Sequence, residues 1–454
     1  LGLLLGYWAG TGQLAAVPWA GLVQAHGQAQ LFGWLGLAVL GVTFHAMAPL
    51  FRAEEPPARP ALVALGLQLL GVALRVAAPL VPGAGGAGGG RGVGPQASAL
   101  GGGWLLLGSA VALLGAFAVT LEAHARTLPR RAREGAGRPA PAALLRFLLA
   151  GVLLWLLALL ANLDGAVDAV RHGPAAPGAV GATRDAFVVA AATGAFALIA
   201  AGMSLRVVVG WLDLPPPDLA RASRAWWPLA GAVALRLGAV VAAGPFAAAL
   251  HGAAGALWAL GVWWYLPALR GLWAPAAVRP GGGVSGQADP PLTWFVRTAY
   301  AWFAVSGVLA ALEAGLAVAG ATGAAVPIAG TAGLADAWRH AVLFGYLATL
   351  TAGLSGRLPT AFLDLSDAAA AAAVAATHGR YRAAWVLLSC AALLRVAAPL
   401  LAGARPALLV TSGVLGTAGL LFLLGVLWHI VRLAPARHPS AGGARPAQRA
   451  EAPV

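Results

Sequence analysis

Charge is what this chain has least of. Only 10% of its 454 residues are charged; all 29 basic residues are Arg, none is Lys, and 15 are acidic. Against this, 60% of the chain is hydrophobic and mean hydropathy is +0.80, more apolar surface than a soluble fold of this length buries. A lone cysteine, Cys390, excludes a disulfide framework or a thiolate metal site within the chain and is expected to pack as a small apolar residue. The lack of Lys accompanies heavy Ala, Gly and Pro usage, a GC-rich codon bias with no mechanism attached. No nucleotide-binding loop, catalytic Ser-His-Asp order or zinc motif is present, so ATP-driven and hydrolytic roles have no support. No alternating segments of barrel type appear either: runs such as Leu144 to Ala161 are apolar on every face. The net charge of +14 is not gathered into a basic stretch interleaved with aromatics, which argues against nucleic acid as a partner. No cleavable signal peptide is seen. Leu1 lies inside an apolar run, so the first span reads as incomplete.

What is there is a succession of apolar runs long enough to cross a bilayer, about 20 residues each. The lipid bilayer is thus the first partner, and an all-α polytopic membrane protein of about twelve spans is the expected fold class. The spans fall near 1–16, 26–50, 60–81, 98–121, 141–163, 184–210, 226–244, 248–270, 293–319, 337–361, 380–402 and 408–433. They form one transmembrane domain, 1–433, followed by a disordered Pro-, Arg- and Ala-rich tail at 434–454. Counted over alternate loops, most arginines, among them Arg52, Arg59, Arg130, Arg131, Arg221, Arg380 and Arg437, lie on one side. Arg91, Arg171, Arg184, Arg339 and Arg405 lie on the other. The positive-inside rule then makes both termini cytoplasmic and the segment from Pro82 to Gly103 external. Many of the 17 Trp sit near span ends, as do Trp226, Trp227 and Trp338, and read as an interfacial belt.

A motif recurs three times: Gly33 and Gly41 followed by Thr43 and His45; Gly194 and Gly202 followed by Ser204 and Arg206; Gly345 and Gly353 followed by Ser355 and Arg357. Glycines at this spacing lie near one helix face and let neighbouring helices approach. Arg75, Arg236 and Arg395 follow in the next spans, and Leu74 to Leu80 recurs letter for letter as Leu394 to Leu400. The expected architecture is therefore three pseudo-symmetric four-helix repeats, near 1–121, 141–270 and 293–433.

Polar residues inside spans are costly and mark function by default. An outer layer collects His26, Asp185, His251, Glu313 and His340, with Arg75, Arg236 and Arg395 close by; an inner layer holds His45, Arg206, Arg357, His124 and His429. The inner group also reads as cations that complement helix C-termini and snorkel to headgroups. His172, His378 and His438 fall in polar segments and read as solvated. The three outer arginines suit either carbonyls of broken helices or an anionic group. Asp185 and Glu313 suit proton transfer or pairing with Arg184 or Arg339.

The run from Ala25 to Trp34, containing His26, and the run from Trp338 to Tyr346, continued by Gly353-Leu354-Ser355-Gly356-Arg357-Leu358-Pro359, resemble the NnrS family. That resemblance implies a twelve-span protein of the bacterial inner membrane that carries haem and copper and serves the response to nitric oxide. The family often has a second histidine two residues after the first; here that residue is Gln28. A more distant similarity to subunit I of the haem-copper oxidases and nitric oxide reductases implies a haem held between the second and tenth spans near the outer face. His26 and His340 stand on the matching spans. The histidines expected on the sixth and seventh spans are missing, the sixth offering Asp185, which weighs against an oxidase- or reductase-like redox enzyme.

On this reading His26 and His340 are the metal ligands, and Arg75, Arg236 and Arg395 bind the cofactor's propionates. His26 stands seven residues before Gly33 and His340 five before Gly345, so the two differ by about 200° around equivalent helices. A ligand held between neighbouring units needs that difference. His45, His251, Asp185 and Glu313 are secondary candidates. The resulting expectation is a haem-binding protein of nitric oxide stress, in sensing or detoxification. The alternative is a transporter for a small anion or metal complex, its pathway lined by the three arginines.

Overall fold

A computed structural model describes residues 19–51, 58–80, 95–127, 142–172, 179–273, 290–321, 328–356 and 367–433. Among them every regular element is helical. Helix α1 comprises Trp19–Gln28, a π-helical segment Ala29–Leu35, and Gly36–Phe51. It is followed by α2 (Ala58–Ala77), α3 (Pro95–Thr127), α4 (Ala142–His172), α5 (Ala179–Ser204) and the short α6 (Val207–Trp211). Then come α7 (Leu219–Val241), α8 (Gly244–Tyr265) and α9 (Pro290–Ala321). Helix α10 is again composite: Ile328–His340, a π-helical segment Ala341–Ala348, and Thr349–Ser355. Helices α11 (Asp367–Ala397) and α12 (Arg405–Leu433) close the described chain. Successive helices α2 and α3, α4 and α5, α7 and α8, and α11 and α12 pack together as hairpins.

Nine helices among the described residues are long and apolar enough to cross a membrane. Helices α7 and α10 stand outside those nine because Arg221, Arg224 and Arg236 in one, and Asp336, Arg339 and His340 in the other, dilute their apolar character. The outward faces carry Leu62, Leu69, Leu149, Leu153, Trp263, Leu421 and Leu424, all exposed, as lipid-facing helices require. The molecule is a helical, multi-pass membrane protein. The span expected at 1–16, the loop residues 81–94 and the tail 434–454 lie outside the described residues, as does Arg357.

Where a helix leaves α geometry inside an apolar bundle, a side chain must take up the freed carbonyl. In α1 the Phe32 carbonyl of the π segment accepts from Gln68 Nε2 of α2. Gly36 leaves room for that amide, since a Cβ there would stand 2.7 Å from Gln68 Nε2. In α10 the Phe344 carbonyl accepts from Thr349 Oγ1. Phe32 and Phe344 each precede an aligned glycine, Gly33 or Gly345. At the end of α5 the chain tightens: Leu205 N–H donates to Gly202 O rather than Ala201 O, and Tyr265 O–H fills the vacated Ala201 carbonyl. Tyr381 O–H does the same for Ala352 and Gly353 at the end of α10.

The glycine motif packs in step at only two of its three copies. Gly33 lies against Val72 and Gly194 against Val233, but Gly345 lies against Trp302 of α9; Gly202 lies against Phe147 and Gly353 against Phe295, but no described residue stands within 4 Å of a Cβ on Gly41. The identical heptapeptides from Leu74 and Leu394 both end their helices in a 3-10 turn, Ala78–Leu80 and Ala398–Leu400.

Several expectations change. Cys390 is exposed on α11, not packed inside. Trp338 is buried at 6% exposure, whereas Trp227 is 65% exposed and keeps the belt position. His124 is buried with its ring 5.2 Å from that of Phe44, and His378 is half-buried beside Trp294. Neither side chain is fully exposed.

Two outcomes follow from this packing. A Cβ on Gly255 would stand 2.5 Å from the Ala310 carbonyl oxygen, while one on Gly425 meets nothing. Gly255→Ala should lower stability by about 1–3 kcal/mol through overpacking, with Gly425→Ala neutral, read as thermal midpoints in detergent. Outside the membrane, Asp218 caps α7 by accepting from the Arg221 backbone N–H at 3.1 Å and binds Arg270 at 2.9 Å. These bonds hold its carboxyl below the usual range, so its contribution is present above that range and is lost as pH falls through the lowered value. Asp218→Asn should therefore lower the thermal midpoint at neutral pH, with the gap closing below the ordinary carboxylate range.

Candidate functional site

Helix α10 carries two polar centres. Trp338 and His340 lie two residues apart in its α-helical part, about 200° around the axis, so they address opposite faces.

On one face His340, half-buried, has Nδ1 2.8 Å from the Asp336 carbonyl one turn earlier and 3.4 Å from the Asp336 carboxylate. With the proton on Nδ1, that ring nitrogen donates and Nε2 keeps its lone pair, the arrangement a metal-ligating imidazole uses. Arg339 closes on the same carboxylate at 3.5 Å. Arg395 of α11 acts electrostatically on His340 and also on His26 of α1. Both histidines stand within three residues of a π segment, and these two segments, Ala29–Leu35 and Ala341–Ala348, touch each other and α5. Such widened turns concentrate at functional sites. Gln28 points to another neighbour: its Nε2 donates to Asn162 Oδ1 of α4 at 3.3 Å.

On the other face Arg236 of α7 is clamped. Its two terminal nitrogens meet both oxygens of Glu313 of α9, at 3.3 and 2.5 Å, with side chains only 8% and 9% exposed. Its guanidinium carbon lies 3.7 Å from the centre of the Trp338 ring. His251 of α8 is in electrostatic reach of both partners. Arg236 Nε and His251 Nδ1 are buried and find no hydrogen-bond partner among the described residues.

An aromatic column leads inward from Trp338. Its ring is 5.4 Å from Trp258, which lies 5.8 Å from Phe303; Phe303 stacks on Tyr346 at 4.6 Å, and Tyr300 and Tyr265 complete the group. Trp258 Nε1 donates to Ser306 Oγ at 3.0 Å. The hydroxyls of Tyr265, Tyr300, Tyr346 and Ser204, from four helices, gather in the interior.

The structure thus brings His26 and His340 each within electrostatic reach of Arg395, and groups Arg236, Glu313 and His251 with one another. Arg236 is spoken for by Glu313, so the cofactor role expected of it does not follow from its surroundings. Glu313 pairs with Arg236 rather than Arg339, and Arg184 pairs with Asp164 at 2.9 Å and Asp168 at 3.0 Å. Arg75 is buried on α2 at 5% exposure. The side chains of His45 and Asp185 lie outside the described residues. Sequence reasoning missed Asp336, although its spacing four residues before His340 signals a shared helix face. It also missed the tyrosines, which read as ordinary apolar bulk. Among the described residues no three His, Cys, Asp or Glu side chains gather as a metal cluster. Compared with known proteins, the chain matches no family model and no curated relative.

Tyr265 generates one outcome here. Tyr265→Phe leaves the Ala201 carbonyl without its partner and should cost about 1–3 kcal/mol, seen as a lower thermal midpoint. Trp227→Phe, on the lipid-facing surface, should change little.

Proposed function

We propose that the chain is a twelve-span inner-membrane protein of three four-helix units, which holds a haem between His26 and His340 and acts in the bacterial response to nitric oxide. The observation that carries this reading is the convergence of two distant π segments, each introduced by a histidine, under one shared cation, Arg395. The NnrS resemblance of the same two runs supports it, and the matching 3-10 turns favour the repeat. The distribution of Arg among loops favours cytoplasmic termini and an outer position for the histidine pair.

The donor set fits the group. A bound haem supplies reversible iron redox chemistry and an affinity for diatomic gases. Asp336 orients the His340 ring through its carbonyl and leaves Nε2 available. Arg395 offers positive charge for a propionate, and Arg75 is the second cation. His26 and His340 would hold a haem, and two imidazoles suit that group better than a three-ligand copper centre.

Purified protein should show a Soret band that His26→Ala and His340→Ala each abolish and that His429→Ala preserves. Absence of any chromophore from protein purified out of haem-replete cells, or a band indifferent to both substitutions, would overturn the assignment.

A further inference from the structure

The Arg236 centre has no part in haem ligation and needs its own account. A cation buried to this depth in a membrane protein must be paired at all times, because an unpartnered guanidinium costs several kcal/mol. Here a planar carboxylate supplies the pairing, both of its oxygens meeting the two terminal nitrogens. An anion that presents two oxygens side by side reproduces that fork, and a small planar monoanion also matches the single charge and shape of the carboxylate it replaces. Two further features exceed what a simple structural ion pair requires. The Trp338 ring holds the guanidinium from its face, so the cation keeps its place when the carboxylate lets go. Among the described residues, Arg236 Nε, on a side chain more than nine-tenths buried, remains an unused donor, and His251 Nδ1 is likewise unpartnered. Among the described ionisable groups around Glu313, Arg236 and His251 act here, whereas Asp336, Arg339 and Arg395 group around His340.

We propose that Arg236 is a binding site for a small planar monoanion of the carboxylate or nitrite class, which takes the place of Glu313 as Glu313 accepts a proton. The proton comes from water through partly exposed His251, whose imidazole accepts it and passes it to a Glu313 oxygen. The Arg236–Glu313 ion pair opens, and the incoming anion makes the same fork. One proton and one anion enter together, so the buried charge is unchanged. This site goes beyond the haem reading and does not depend on it.

The test uses the full chain in lipid nanodiscs with sodium formate and sodium nitrite as probes and sodium chloride as comparator. Calorimetry at pH 5.5 and 7.5 should show formate or nitrite binding that tightens about tenfold for each unit by which pH falls, as uptake of one proton requires. One proton should be taken up per anion, and chloride should bind far more weakly. Glu313→Gln should bind the anion with affinity independent of pH, and formate should raise its thermal midpoint. The charge-neutral pair Arg236→Gln with Glu313→Gln should fold and bind nothing. His26→Ala should keep anion binding, which separates this site from the haem. No binding by the wild type at either pH, with a stable double variant, makes the ion pair purely structural and overturns the proposal. Binding that survives in the double variant, or disappears in His26→Ala, places the anion elsewhere and overturns it as well.

Discussion

Inside lipid a backbone carbonyl that leaves the helical ladder has no water to turn to, and at four irregular turns among the described residues a side chain answers it. Gln68 answers Phe32, Thr349 answers Phe344, Tyr265 answers Ala201, and Tyr381 answers Ala352 and Gly353. The π segments of α1 and α10 therefore persist as built features. Each turns the helix just past a histidine, and the two widened stretches meet. The polar chemistry rests on this backbone arrangement, because it brings a stretch near the start of the chain against one from its last third.

Charge obeys the same constraint. Buried guanidinium groups are kept where partners exist, and α10 divides those partners between two faces. Asp336 and His340 look toward Arg395, while Trp338 looks toward Arg236 and its carboxylate. A single helix thus stands between the proposed haem site and the proposed anion site. Coupling of the two through α10 would act on the short stretch between Asp336 and His340, which contributes side chains to both.

Much of the scaffold was legible in the sequence because lipid imposes a coarse rule, long apolar runs punctuated by Arg, Pro and Gly. His26, His340, Arg236 and Glu313 stood out for the same reason, as ionisable residues where few are tolerated. Their grouping was less legible. The sequence placed Arg236 with Arg75 and Arg395 because all three occupy similar positions, yet Arg236 meets a carboxylate on α9 that neither spacing nor composition foretells. Trp338 read as an interfacial ring, because an aromatic near a span end looks alike whether it faces headgroups or a buried cation. The phenol caps were invisible, since a helix break at Ser204 shows in sequence only as an ordinary Gly-Met-Ser stretch.

The account's central claim is that His26 and His340 turn toward one another across the contact of the two π segments and share a ligand. Electron cryo-microscopy of the purified protein in nanodiscs, at a resolution that shows ring planes, examines this directly. The account expects planar density bridged by both imidazoles, with Arg395 at its edge. Imidazoles facing lipid, or side chains packed between them with no density for a ligand, would contradict it.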